Sequence, residues 1–234
     1  MIGIKIIYKV IFILMHKTVQ NLFNIKKQIK SKINELKYNN YDPKIIAVSK
    51  TFPISHIMPL IESGHTHFGE NKVQEALEKW SEIKEKNKNL SLHLVGKLQT
   101  NKVKFALKIF DFIHSLDNLK LAKKISEEQK KNLNKPKIFV QVNIGNETQK
   151  SGLNRDNVKD FYKQCQDLDL NIIGLMCLPP IDSDPDSFFS EMKQLNNKIN
   201  LKELSMGMSS DYIEAVKHHS TYLRIGSNIF GKRN

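Results

Sequence analysis

The chain has 234 residues, 40% of them apolar, enough for one domain with a sizeable core or at most two small ones. That composition excludes a collagen-like chain, a disordered tail and a disulfide scaffold. Lysine and arginine number 37 against 24 acids, a formal charge of +13, which raises a nucleic-acid or anionic-membrane reading. The make-up of the excess argues against it. Arg155, Arg224 and Arg233 are the only arginines, whereas phosphate grip and base readout favour the bidentate arginine fork. The lysines are interleaved with acids along helix-like stretches such as Lys79 to Lys88, the pattern of a solvated surface, so no nucleic-acid partner is expected. Cys165 and Cys177 lie in apolar surroundings and read as buried free thiols of a reducing compartment, which makes a cytoplasmic location the expectation.

Ile2 to Met15 is mostly apolar, broken by Lys5 and Lys9. It is too short to span a bilayer. Its apolar stretch Val10 to Met15 runs into His16 and Lys17 with no small-residue cleavage site. Residues 1–15 therefore read as an N-terminal extension upstream of a natural start at Met15, with a peripheral anchor and a secretion signal as the alternatives. Residues 16–234 read as a single domain, with no Pro- or Ser-rich linker inside them.

From Thr18 the apolar residues Val19, Leu22, Phe23, Ile25, Ile29, Ile33 and Leu36 fall on one broad helical face with lysines opposite, which predicts a covering helix. Eight short apolar runs follow: Ile45 to Val48, Thr66 to Phe68, Leu92 to Val95, Phe112 to Leu116, Ile138 to Val142, Ile172 to Leu178, Glu203 to Met206 and Tyr222 to Ile225. Between them lie helix signals at Ile54 to Ser63 before Gly64, Asn71 to Lys86, Asn101 to Ile109, a run opened by Asp117, Asn154 to Asp167, and Asp184 to Ile199. Alternating strand and helix predicts a parallel sheet, and nearly continuous apolar runs such as Ile138 to Val142 suit strands covered on both faces. Eight such units fit a compact (β/α)8 TIM barrel, with a doubly wound open sheet as the alternative.

In a barrel the chemistry forms where strands run into the loops at their C-terminal ends. Lys50, directly after the first strand, is positioned for partial desolvation, which lowers an amine's pKa and makes it nucleophilic, as a Schiff-base lysine requires; an ordinary surface or ion-paired lysine is the alternative. Arg224-Ile225-Gly226-Ser227-Asn228-Ile229-Phe230-Gly231 reads as a strand ending on Gly-Ser and opening a short helix, whose N–H groups and Ser227 hydroxyl suit a phosphate. Gly207 and Ser209 supply matching pieces after the seventh strand. A lysine after strand 1 and a phosphate cradle after strands 7 and 8, with Arg224 between, would form a pyridoxal-phosphate pocket. His65-Thr66-His67 alternates so as to place both imidazoles on one strand face, but no acidic cluster of matching spacing follows, so no metal is expected. There is no Walker loop, GxGxxG, GxSxG or zinc pattern.

These residues carry a resemblance. Ala47-Val48-Ser49-Lys50-Thr51, His67-Phe68-Gly69-Glu70-Asn71, His93-Leu94-Val95-Gly96, His114-Ser115-Leu116-Asp117, Lys150-Ser151-Gly152, Gly174-Leu175-Met176, Leu204-Ser205-Met206-Gly207-Met208-Ser209 and Arg224-Ile225-Gly226-Ser227 are similar, in this order, to the YggS/PROSC family of pyridoxal-phosphate homeostasis proteins. The resemblance implies a barrel like the N-terminal domain of alanine racemase, with pyridoxal 5'-phosphate held as a Schiff base on Lys50. It implies that Ser209, Gly226 and Ser227 hold the phosphate, that Arg224 faces the pyridine nitrogen, and that Asn71 and Met206 complete the cofactor-binding set. A permanently charged arginine there disfavours protonation of the ring nitrogen. Ser227 stands where the family usually has Thr, Leu92 replaces an aromatic residue before His93, and Lys97 occupies a variable slot; none of these removes a cofactor contact.

The function implied is a non-catalytic carrier that keeps free pyridoxal phosphate in range, working as a monomer and meeting apo-enzymes that need the cofactor. Relatives that racemise or decarboxylate amino acids carry a second, β-rich domain, whereas this sequence ends at Asn234, just after the glycine turn. A slow racemase or decarboxylase using Lys50 as its sole base is the alternative. A cofactor-free lysine aldolase and a nucleic-acid binder rank behind both.

Overall fold

The computed structural model describes Ile13, residues 16–131 and residues 134–232. The expectation for the segment 1–15 therefore lies, Ile13 apart, outside the described residues. Helix α1 (Lys17–Glu35) precedes the first strand. Then come β1 (Lys44–Val48), α2 (Ile54–Glu62), β2 (His67–Glu70), α3 (Val73–Lys86), β3 (Ser91–Leu94), α4 (Val103–Ile109), β4 (Phe112–Leu116) and α5 (Leu119–Lys131). The second half adds β5 (Lys137–Val142), α6 (Val158–Asp167), β6 (Ile172–Cys177), α7 (Pro185–Lys198), β7 (Glu203–Ser205), α8 (Tyr212–Lys217), β8 (Tyr222–Ile225) and α9 (Ser227–Phe230).

The strands follow one another in chain order around a closed barrel, and β8 pairs in parallel with β1. That closure excludes the doubly wound alternative, in which the sheet keeps two edges. Because successive residues of a strand face opposite sides, the barrel has two apolar layers. Ile46, Val48, Phe112, Phe139, Met176 and Tyr222 fill the interior. The larger layer lies between strands and helices, with Phe68, Trp80, Phe110 and Phe189 fully buried. Helix α1 closes this layer beside the last barrel units: Asn21 Nδ2 donates to Ile229 O at 2.9 Å, and the Tyr212 hydroxyl bonds Gln28.

Three expectations are corrected. Phe23 is 67% exposed: the buried row of α1 is Val19, Leu22, Ile25 and Ile29, and Phe23, about 100° around the helix from Leu22, falls outside it. Helix α8 had no counterpart in the pattern, because its six residues are too few to show a period. The stretch from Lys79 is less solvated than its charges suggest, since Lys79 pairs with the buried Glu70 at 2.9 Å and Lys84 with Asp111 at 2.5 Å. Cys165 and Cys177 are free and buried as expected. Among the described residues no helix is long and apolar enough to cross a membrane.

Candidate functional site

The C-terminal mouth of the barrel holds a cavity of about 840 Å³. Six of the seven residues expected at the site line it: Lys50, Asn71, Ser209, Arg224, Gly226 and Ser227. The seventh, Met206, does not. Ser205 points into the barrel and bonds His114, so the next side chain in the alternation turns outward, and Met206 is fully buried in the layer between strands and helices.

Lys50 is displayed by a tight turn. Phe52 N donates to Ser49 O at 3.1 Å, and Thr51 between them has φ +68°, a left-handed conformation that is costly for a β-branched residue. The turn is pinned from outside the barrel. Ser49 Nα donates to Gly69 O at 2.9 Å, the Ser49 hydroxyl donates to Glu70 Oε1 at 2.8 Å, and Lys79 Nζ donates to Ser49 O at 3.1 Å. Glu70, with no exposed surface, also accepts from Lys79 Nζ at 2.9 Å and Trp80 Nε1 at 3.0 Å. A buried carboxylate with this many donors is a rigid anchor, and what it anchors is the strand end bearing Lys50.

Asn71 lies across the mouth, in a gap that exists because residue 96 is glycine: a Cβ on Gly96 would stand 2.3 Å from Asn71 O. At β7, Gly207 turns the chain with φ +90°, which brings Ser209 over the start of α9. There the N–H groups of Gly226 and Asn228 both donate to Ser209 Oγ, at 3.2 and 3.4 Å, and Asn228 Nδ2 donates to Ser209 O at 2.8 Å. Two backbone donors thus converge on one oxygen beside Ser227, and donors grouped in this way suit a phosphate oxygen that replaces the Ser209 hydroxyl as their acceptor.

The electrostatics point the same way. Among the described residues the ionisable side chains lining the cavity are Lys50, Lys97, Lys150 and Arg224, with no carboxylate among them. Lys150 pairs with Glu147 at 2.5 Å and donates to Pro179 O at 3.2 Å. Arg224, in β8, is buried; its Nη1 donates to Ser205 Oγ at 2.6 Å and its Nη2 to Cys177 O at 2.8 Å. Burial moves the guanidinium below its usual pKa, with Asp211 opposing. Burial pushes the Cys177 thiol up to about 12, so it is a neutral neighbour at pH 7. The residues present therefore fit a small, flat, phosphorylated aldehyde: an amine at a strand end, a phosphate cradle opposite, and a fixed cation between.

The paired-histidine expectation is corrected. His65 precedes β2, bonds His67 O at 2.9 Å and packs edge-on against Phe68, on the helix side of the sheet. His67 points into the barrel instead, 2.9 Å from His93. Asn143, a strand-end candidate, also lines the cavity, as do Val48, Phe52, Gln141 and Gln149, to which sequence reasoning gave no site role. Val48 and Gln141 stand at the ends of β1 and β5, which was the available signal, whereas Phe52 and Gln149 lie in the loops that follow.

The family model described as alanine racemase, N-terminal domain, matches residues 25–234. A pyridoxal phosphate homeostasis protein of Pasteurella multocida is 37% identical over 229 residues, covering 92% of this chain and 97% of that one. One of Haemophilus influenzae is 36% identical over 225 residues, covering 92% and 95%. The solved structure of PipY of Synechococcus elongatus with PLP bound superposes with a TM-score of 0.76 at 32% identity, covering 87% of this chain and 100% of that chain.

Proposed function

Because the chain belongs to the alanine racemase N-terminal domain family, with pyridoxal phosphate homeostasis proteins among its relatives, we propose that it binds pyridoxal 5'-phosphate at the mouth of the barrel and serves in homeostasis of that cofactor. When bound, the cofactor supplies an aldehyde that condenses with a primary amine, releasing water, and a phosphate that takes hydrogen-bond donors. In this reading Lys50 is the amine, carried on the turn that Glu70 anchors. Ser209, Ser227 and the N–H groups of Gly226 and Asn228 hold the phosphate, Arg224 faces the ring nitrogen, and Asn71 closes one side. The single observation that carries the reading is the cavity itself, in which a strand-end lysine, a buried arginine and convergent backbone donors share one space with no carboxylate among the described lining residues.

Holding the cofactor, rather than turning over a substrate with it, follows the homeostasis role named for the relatives. Among the described residues the proton-transfer groups that line the cavity are lysines, Lys50, Lys97 and Lys150. The buried free thiols support a reducing, cytoplasmic setting. The reading takes the chain as a monomer that passes cofactor to apo-enzymes; light scattering of the purified protein tests the first part and transfer to an apo-enzyme the second. The test of binding is a visible-absorption titration with pyridoxal phosphate. Wild type should gain a new band at stoichiometric cofactor, and Lys50→Ala should lose the band while inorganic phosphate still competes for the residual binding. A band that survives in Lys50→Ala would assign the amine elsewhere.

A further inference from the structure

One network beneath the site, running inward from the half-buried His67, has been given no role in the proposed function. His67 Nδ1 is 2.9 Å from His93 Nε2, His93 Nδ1 is 2.9 Å from His114 Nε2, and His114 Nδ1 is 2.9 Å from Ser205 Oγ. Ser205 Oγ in turn takes Nη1 of Arg224 at 2.6 Å. The chain crosses the barrel interior from the first residue of β2, through β3, β4 and β7, to the arginine at the mouth.

Its direction follows from donor and acceptor counting. Arginine has donors and no acceptor, so the bond between Arg224 and Ser205 runs one way. Ser205 has no exposed surface, and among the described residues its hydroxyl proton has one acceptor in reach, His114 Nδ1. That nitrogen is therefore bare and the proton of His114 sits on Nε2, where it is donated to His93 Nδ1. By the same step His93 carries its proton on Nε2 and donates it to His67 Nδ1. The opposite sense would leave the Ser205 proton buried without an acceptor, a cost that folded proteins avoid. Burial holds His93 and His114 well below the usual imidazole pKa, with Arg224 adding to the effect on His114, so neither ring carries a second proton that would break the sequence. Stacking fixes the ring planes: Phe112 lies on His93 at 4.1 Å and 14°, and Phe139 on His114 at 4.4 Å and 22°.

We propose that His67, His93, His114 and Ser205 are positioning residues that form a one-directional hydrogen-bond chain, each imidazole protonated on Nε2, with its sense set by Arg224 and its rigidity returned to Arg224 as a fixed guanidinium orientation at the cavity. The tautomers stand on the protein alone, whereas the consequence for the ring nitrogen of a bound cofactor rests on the function proposed above.

The experiment is long-range proton–nitrogen NMR on protein labelled with 15N-histidine and free of cofactor, with His93 and His114 assigned through contacts to the Phe112 and Phe139 rings. The expected result is protonated Nε2 and bare Nδ1 at His67, His93 and His114. Ser205→Ala should move the His114 Nδ1 resonance towards that of an unbonded nitrogen and shift His93 and His67 by decreasing amounts, and Ser205→Thr, which keeps the hydroxyl, should restore the wild-type pattern. A protonated Nδ1 at His93 or His114, or a Ser205→Ala spectrum in which no histidine moves, overturns the chain. With the cofactor added, Ser205→Ala should alter the visible band while competition by inorganic phosphate stays as in wild type. An unaltered band overturns the positioning role and leaves the tautomers standing, and a wild type with no band refutes the proposed function instead.

Discussion

Lowering the pH from 7 to 5 should destabilise this fold through histidines that it keeps neutral. His93 and His114 are fully buried and held well below the usual range, chiefly by desolvation. Desolvation also lowers His65 to about 3 and His67 to about 4. In the unfolded chain each titrates near pH 6.5, so as pH falls below that value the unfolded state takes up protons and the folded state does not. Stability contributed by the neutral rings is thus complete above about pH 6.5 and drains away with acid until the folded values are reached. Linkage gives about 2 kcal/mol per histidine between pH 7 and pH 5, hence about 4 kcal/mol for His93 and His114 together. Against a typical total of about 5–15 kcal/mol, that is enough to bring the unfolding midpoint down sharply. Urea unfolding followed at pH 7, 6 and 5 measures it, and His65→Asn, which removes one such group, should flatten the slope below pH 6.5. An unfolding free energy that changes by less than about 1 kcal/mol over this range would refute the reasoning, because the extrapolation error alone is about that size.

Glu70→Gln should cost about 2–3 kcal/mol, less than the loss of a whole partner from a buried ion pair because the amide still accepts from Trp80 and Ser49. A double-mutant cycle with Lys79→Met should return a coupling of at least about 1 kcal/mol, and additive effects would show that the pair does not act as a unit. Gly96→Ala should weaken pyridoxal phosphate binding more than it lowers the urea midpoint, since the added Cβ meets Asn71 O at the cavity rather than in the core. Equal effects on the two would show that Gly96 serves the fold alone. Ser209→Ala removes one hydroxyl from the proposed phosphate cradle and should weaken pyridoxal phosphate by about tenfold, in line with one hydrogen bond to a charged group, as read by isothermal titration.

The barrel was legible because its signals are local. Apolar runs such as Ile138–Val142 and Ile172–Cys177, each covered on both faces, announce themselves in the sequence, and their regular spacing implies the parallel order. That Lys50, Ser209, Arg224, Gly226 and Ser227 line one cavity was legible for a related reason: the barrel rule turns the strand ends and the loops after them into candidates. The side chain of Met206 lies in the layer between strands and helices, because the alternation that turns Ser205 inward turns its neighbour outward, and a register one residue different would have reversed it. Phe23 failed because an apolar stripe read from a helical period has no sharp edge. The histidine chain was out of reach for a different reason. His114 and Ser205 are 91 residues apart, and nothing in local spacing says that their side chains enter the barrel at the same level. The same holds for Lys79, whose surface-like neighbourhood hides a contact made nine residues back, to Glu70.

The most direct test of the central claim is borohydride reduction of the cofactor-loaded protein followed by peptide mass mapping, since it reads cofactor and anchor in one step. The account predicts a single pyridoxyl-phosphate adduct on the peptide containing Lys50, absent from Lys50→Ala. An adduct on another lysine, or none after loading, would contradict it.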